Sequence, residues 1–245
     1  MGTILKMNLD ELKDLAVDAA RQAGDFLNQS NLEKKEVYKE EGRDIKLIID
    51  QDTEKLIRAS LILTNIPILG EEYGGEITDE RYWVIDPVDG TANYFRGLDE
   101  CCVSIALMEG KEALIGVIYN FNNDQMYTAI KDHGAFLNNA KISVSEITSK
   151  DKASITTGFP ASESVESSIN FLEDLKGWKK VRMFGSAALS CAYVASGKCD
   201  YYAEKGVYLW DIAAGICLVK EAGGCVDLKP IDKERYEVVF SNNLL

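Results

Sequence analysis

The stretch RYWVIDPVDGTANYFRG, from Arg81 to Gly97, sets the tightest constraint on the fold. Tyr82 to Ile85 reads as a buried strand, because consecutive large apolar residues leave no face for water. The run ends in two acids, Asp86 and Asp89, with Pro87 and Val88 between them and Gly90-Thr91 directly after. Pro87 stiffens the turn, which lets Asp86, the Val88 carbonyl and Asp89 point at one place. Gly90-Thr91 opens a short helix whose unpaired N–H groups and positive dipole end suit a phosphate. A turn and an N-cap are the plainer explanation of the two acids taken alone.

Three more acids stand beside apolar runs: Asp50 after Ile45 to Ile49, Glu71 after Ile68-Leu69-Gly70, and Asp211 in LWDIAAG. Carboxylates that converge in a cleft repel one another unless a cation neutralises them. Hard oxygen ligands select Mg²⁺, with Mn²⁺ as the alternative. The 245-residue chain carries a formal charge of −13, which argues against nucleic acid as a partner. Phosphorylated small molecules stay within reach if metal ions supply positive charge locally. The cysteines at 101, 102, 191, 199, 217 and 225 form no C-x-x-C pair, and His133 is the sole histidine, which speaks against zinc. They read as small core residues, with disulfides left open.

Along the chain, Asn8 starts a helix with Glu11 in the capping-box position and an apolar stripe from Leu9 to Leu27. Val37 to Lys46 reads as a hairpin or loop around Gly42. A second helix is expected from about Thr53 to Thr64, ended by Asn65-Ile66-Pro67. From Cys102 to Leu137 the pattern is antiparallel hairpins, with turns at Gly110 and Gly134. Helices are then expected over Val165 to Leu175, Ser186 to Ala195 and Leu209 to Glu221, the last closed by Gly223-Gly224. Strands are expected at Cys199 to Ala203, Val226 to Leu228 and Val238 to Phe240. The class is mixed α/β, α+β in layout, with helices over sheets. The expected division is residues 1–140 as an antiparallel metal-binding domain and 141–245 as a domain completing the active site. No secretory signal or membrane span is read from the N-terminal region, so the expected location is the cytoplasm, away from membranes.

Rival signatures fail on a required residue. IIDQDTE lacks the Thr or Val that an aspartyl-phosphate nucleophile motif places where Glu54 stands. No thiolate-phosphatase motif is present. ASGKC, from Ala195 to Cys199, contains a Gly-Lys but no glycine five positions earlier, so it is no P-loop.

GEEYGG, WVIDPVDGTANYFRG and LWDIAAGICLVKEAGG, in this order, closely resemble the inositol monophosphatase family of Mg²⁺-dependent, lithium-sensitive phosphatases. The resemblance implies a layered sandwich of helices and sheets, usually a homodimer, acting on a phosphorylated small molecule. It implies two or three Mg²⁺ held by Glu71, Asp86, the Val88 carbonyl, Asp89 and Asp211. Asp50 would pair with Thr91 to orient the attacking water, making Asp50, Thr91 and Glu71 the catalytic set. Asp89, Gly90 and Thr91 would cradle phosphate; Gly185, Ser186, Ala187 and Glu204 would face the alcohol part. Lys39 falls where the family carries a lysine on a loop, and Arg182 is placed to reach a second phosphate.

Hydrolysis of inositol-1-phosphate leads, with fructose-1,6-bisphosphate as a further substrate. The short chain, which stops within five residues of Phe240, resembles archaeal members that accept both. A 3′(2′),5′-bisphosphate nucleotidase is the runner-up and would need a base-binding surface. A catalytically inactive binding or regulatory relative is the third reading, and it gives no reason to keep every acid the metals require.

Overall fold

The computed structural model describes residues 7–30, 37–41, 44–158, 169, 173 and 175–245. Helix α1 (Leu9–Gln29) begins where the sequence places it: the Asn8 side chain accepts from the Glu11 N–H, and the Glu11 carboxylate accepts from the Asn8 N–H, both at 2.9 Å. Its apolar stripe, including Leu12, Ala16, Ala20, Ala23 and Leu27, is buried. Each leucine so buried contributes about 2 kcal/mol.

Strands β1 (Val37–Glu41) and β2 (Asp44–Leu47) form the antiparallel hairpin read between Val37 and Lys46. Helix α2 (Ile48–Leu61) starts five residues before the expected Thr53, and a 3₁₀ turn covers Ile62–Thr64. Leu47 is a poor N-cap by residue type, so the start is hidden in sequence. Asp50 supplies what is missing, its Oδ2 accepting from the Leu47 N–H at 2.9 Å. Asp50 therefore belongs to the first turn of a helix rather than to a strand end.

A seven-stranded sheet follows, in the order β3 (Ile68–Gly70), β4 (Arg81–Asp89), β5 (Cys102–Glu109), β6 (Glu112–Asn120), β7 (Gln125–Ile130), β8 (Gly134–Leu137), β9 (Ala140–Ile142). β3 runs parallel to β4, and every later pairing is antiparallel. The hairpins hold as expected, and β4 runs four residues beyond Ile85. Both faces of the central strands are covered. Trp83, Ile85, Val103 and Ile105 meet α1 and α2. Tyr82, Val84, Cys102 and Ala106 meet helices α4 (Ala187–Ala195) and α5 (Leu209–Glu221). Short helix α3 (Thr91–Arg96) follows β4.

Beyond α4 and α5 lies a five-stranded sheet, ordered β11 (Lys180–Arg182), β10 (Ser154–Thr157), β12 (Tyr201–Tyr208), β14 (Arg235–Ser241), β13 (Cys225–Pro230). Strands β9, β10 and β11 were not anticipated. All three are only three or four residues long, too short to establish a period. β12 is longer than its apolar stretch because its far half carries Glu204 and Lys205. α4 is apolar on all sides, as a helix sandwiched between two sheets must be. The resulting order is helix pair, sheet, helix pair, sheet. The expected helix over Val165 to Leu175 lies largely outside the described residues. All six cysteines are free thiols; Cys225 is exposed, contrary to a core role, because it opens the edge strand β13. Among the described residues, no helix is long and apolar enough to cross a membrane.

Candidate active site

In a regular strand, residues three apart point to opposite faces. Asp86 pairs with Ser104, but Asp89 pairs with Cys102, so β4 spends three steps where β5 spends two. This bulge inserts one residue and returns Asp89 to the face that carries Asp86. That face also carries Tyr82 and Val84 and looks toward α4 and α5. Pro87, which has no N–H for a ladder, is tolerated in a strand flanked on both sides because it lies in the bulge. The Val88 N–H turns onto Asp86 Oδ1 at 3.0 Å.

The third acid arrives from the other half of the chain. Asp211 occupies the first turn of α5, where its Oδ2 accepts from the Tyr208 N–H at 2.8 Å. Carboxylate oxygens of Asp86, Asp89 and Asp211 all lie within 4.8 Å of one another. Glu71 follows β3 directly, and its N–H donates to the Ile85 carbonyl at 3.3 Å, level with Asp86. Burial first, and then the charges of Glu71, Asp89 and Asp211, push the Asp86 carboxyl well above the carboxylate range. Burial, Asp89 and Glu71 do the same to Asp211.

Asp89 is raised less, and the structure shows why. Burial lifts it, while the Ser186 hydroxyl and the N–H groups of Ala188 and Ala187 pull it down. Ser186 Oγ donates to Asp89 Oδ2, with the Ala188 N–H at 2.7 Å and the Ala187 N–H at 3.3 Å from the carboxylate. Asp89 thus sits on the N-terminus of α4, where the helix dipole favours an anion. Ser186 and Ala187 hold Asp89 here. Gly185, preceding them, backs onto the Asn93 amide, which donates to the Phe184 and Glu100 carbonyls at 2.6 and 2.7 Å.

Gly90 adopts φ +89°, and a Cβ there would lie 2.7 Å from the Glu100 carbonyl, so the residue before α3 has to be glycine. The Thr91 hydroxyl donates to the Val88 carbonyl at 3.0 Å. That carbonyl retains a second lone pair. Asp50 is buried, and its charge acts on Tyr94 of α3, which places it on the α3 side of the acids. Glu204, on β12, is raised to about 7 by burial, against the lowering effect of the Tyr202 hydroxyl that bonds it at 2.9 Å. Its charge reaches both Asp89 and Asp211.

Arg182 lines a cavity that includes none of these acids. Lys39 lies on β1 opposite Lys46, and its side chain is outside the described residues.

Sequence reasoning missed the clamp behind Glu71. Glu54 is fully buried and accepts from the Glu72 N–H at 2.7 Å, the Tyr73 N–H at 3.2 Å and Arg58 Nε at 2.7 Å. Arg58 in turn donates to the carbonyls of Gly74 and Ile68, at 2.6 and 3.3 Å. The loop that presents Glu71 is therefore tied to α2. The available signal was the Glu54–Arg58 spacing of one helical turn on a mostly buried face.

The sequence pattern of the inositol monophosphatase family matches residues 8–235. The chain is 38% identical over 238 residues to a Nus factor SuhB from Xylella fastidiosa, covering 91% of this chain and 84% of that protein. It is 33% identical over 243 residues to a fructose-1,6-bisphosphatase/inositol-1-monophosphatase of Thermotoga maritima, covering 95% and 91%. The crystal structure of extragenic suppressor protein suhB from Bartonella henselae superposes with a TM-score of 0.87 at 31% identity, covering 95% of this chain and 94% of that one.

Proposed function

The chain belongs to the inositol monophosphatase family, whose members are metal-dependent phosphatases, and we propose that this phosphoric monoester hydrolase cleaves inositol-1-phosphate and also fructose-1,6-bisphosphate with Mg²⁺. The observation that carries the reading is the meeting of Asp86, Asp89 and Asp211 within 4.8 Å. Three carboxylates at that spacing, Asp86 and Asp89 buried and Asp211 half-buried, with a fourth charge from Glu71, fit hard divalent cations and nothing softer. Glu71, Asp86, the Val88 carbonyl, Asp89 and Asp211 would hold two or three Mg²⁺. When bound, the ions offset phosphoryl charge and lower the pKa of a nearby water.

The chain's own groups do the rest. Backbone N–H groups at Gly90 and Thr91 hold phosphoryl oxygens. Thr91, turning its hydroxyl from the Val88 carbonyl toward Asp50, orients the attacking water and accepts its proton while handing its own to the Asp50 carboxylate, which ends up protonated. Asp89 stays fixed because Ser186, Ala187 and Ala188 bond it, and Oδ1, with one long bond, keeps a lone pair for a cation. Glu204 accepts from hydroxyls of the alcohol part, and the Tyr202 hydroxyl holds its carboxylate in place. No protein nucleophile is needed, in keeping with the failed nucleophile motifs.

Inhibition by Li⁺, a homodimeric state and a cytoplasmic location belong to the same proposal. The stacked pair Tyr208–Trp210, with ring centroids 4.7 Å apart beside Asp211, favours the runner-up bisphosphate nucleotidase, since a base needs such rings. A panel of inositol-1-phosphate, fructose-1,6-bisphosphate and 3′-phosphoadenosine-5′-phosphate, with Mg²⁺ and after chelation, decides between them. The reading expects Mg²⁺-dependent turnover of the first two. Preference for the nucleotide would transfer the assignment to the runner-up, and no Mg²⁺-dependent turnover of any of the three would end both.

A further inference from the structure

A cavity of about 390 Å³ opens between the two halves of the chain, lined by Asn123, Gln125, Ser154, Arg182, Phe184, Tyr193, Lys198 and Cys199. Two of its walls are cations, in a protein with a net charge of −13. Lys198 is the lysine of the Gly-Lys pair that fits no P-loop. Its ammonium donates to the Tyr127 hydroxyl at 2.7 Å and to Gln125 Oε1 at 3.2 Å. It also lies 5.3 and 5.1 Å from the ring centroids of Tyr127 and Tyr193. An ammonium has three protons, so one is left for the cavity. Among the described residues, Arg182 makes a single bond, from Nη1 to the Val181 carbonyl at 3.3 Å, which leaves its other N–H groups open to a ligand.

Among the described residues, no carboxylate pairs with either cation. Burial and Asp200 raise the Cys199 thiol and both cations lower it, so both charges reach this cavity-lining residue. Glu100 reaches Tyr193 electrostatically but does not line the cavity. Two unpaired cations lining one cavity repel each other, and an anion between them recovers that cost. The amides of Asn123 and Gln125 and the hydroxyl of Ser154 supply hydrogen bonds for a polyhydroxylated body. Phe184 and Tyr193, edge to face at 5.0 Å, supply an apolar wall. A volume of this size holds a small metabolite rather than a lone ion.

We propose that this cavity is a second ligand site, distinct from the acidic cluster, that takes a sugar-sized phosphate monoester with its phosphate between Arg182 and Lys198. No acid lines the cavity to hold a divalent cation, so the ester is bound there and not hydrolysed.

Removing divalent ions separates the two sites. Without cations, Glu71, Asp86, Asp89 and Asp211 repel any phosphate, so anion binding by the metal-free protein reports the cavity alone. Inorganic phosphate and glucose 6-phosphate are titrated calorimetrically into metal-free wild type, Arg182→Gln and Lys198→Gln. Both replaced side chains are exposed, and unchanged thermal midpoints verify folding. The expected result is one site per chain, tighter for the sugar ester, weakened roughly tenfold or more by either substitution. Absence of saturable binding in the metal-free wild type overturns the proposal. So does binding that neither substitution alters, or an equal affinity for the two probes. The phosphatase reading stands or falls separately, on turnover with Mg²⁺.

Discussion

Replacing Glu204 with Gln should stabilise the metal-free protein at high pH and leave it unchanged at low pH. The carboxyl rises from 4.5 to about 7 on folding, mainly through burial. The folded state therefore holds the proton more tightly than the unfolded chain does. The stability this lends is complete below about pH 4.5 and is lost as the pH climbs through about 7. Each pKa unit is worth about 1.4 kcal/mol, so the full cost at high pH is about 3 kcal/mol. Residual solvent contact trims this to about 2–3 kcal/mol. Gln keeps an acceptor for the Tyr202 hydroxyl, so the variant removes the charge with little loss of bonding. For a chain this long the gain corresponds to a midpoint rise of roughly 4–12 °C. Differential scanning calorimetry after removal of divalent ions, at about pH 4 and about pH 8.5, reads the gap directly. A gap of equal size at both pH values, or a wild type that melts higher at the alkaline pH, refutes the reasoning.

Gly70→Ala places a Cβ 2.2 Å from Glu54 Oε1, and three donors prevent that carboxylate from moving aside. A loss of about 1–3 kcal/mol in urea unfolding is expected, and an unchanged midpoint would show that the clamp is loose. Glu54→Gln leaves one acceptor oxygen where two took the Glu72 and Tyr73 N–H groups, and it removes the charge facing Arg58. The Mg²⁺ concentration for half-maximal activity should rise roughly tenfold or more, whereas a value equal to wild type removes Glu54 from the support of Glu71. Asp89→Asn preserves an acceptor for α4 while removing the charge that a cation needs. Turnover of inositol-1-phosphate should fall about a thousandfold or more with the thermal midpoint little changed; near-normal turnover rejects the role given to Asp89.

Local signals were legible in sequence and long-range ones were not. The capping box at Asn8 and the span of α5 are written in adjacent residues, and both emerge as read. The acids were visible because carboxylates beside apolar runs are costly without a partner. Their convergence relies on the β4 bulge, which the D-P-x-D spacing hints at but which only the register with β5 defines. The start of α2 was hidden because Leu47 has no capping side chain. Helices cover both faces of β5, and its polar Ser104 finds a buried partner in the Trp210 carbonyl, a contact 106 residues away that no local pattern announces. Ser186 and Asp89 are 97 residues apart, and no local pattern predicts that the helix carrying one would seat the other.

The most direct test is Mg²⁺ binding measured by isothermal titration calorimetry at neutral pH, for wild type and Asp86→Asn. The wild type should bind the ion and release protons, because the carboxyls raised by burial and by one another give them up to the cation. Asp86→Asn should bind at least roughly tenfold more weakly and release fewer protons. Equal affinity and equal proton release in the two proteins would mean that Asp86, Asp89 and Asp211 do not hold the ion.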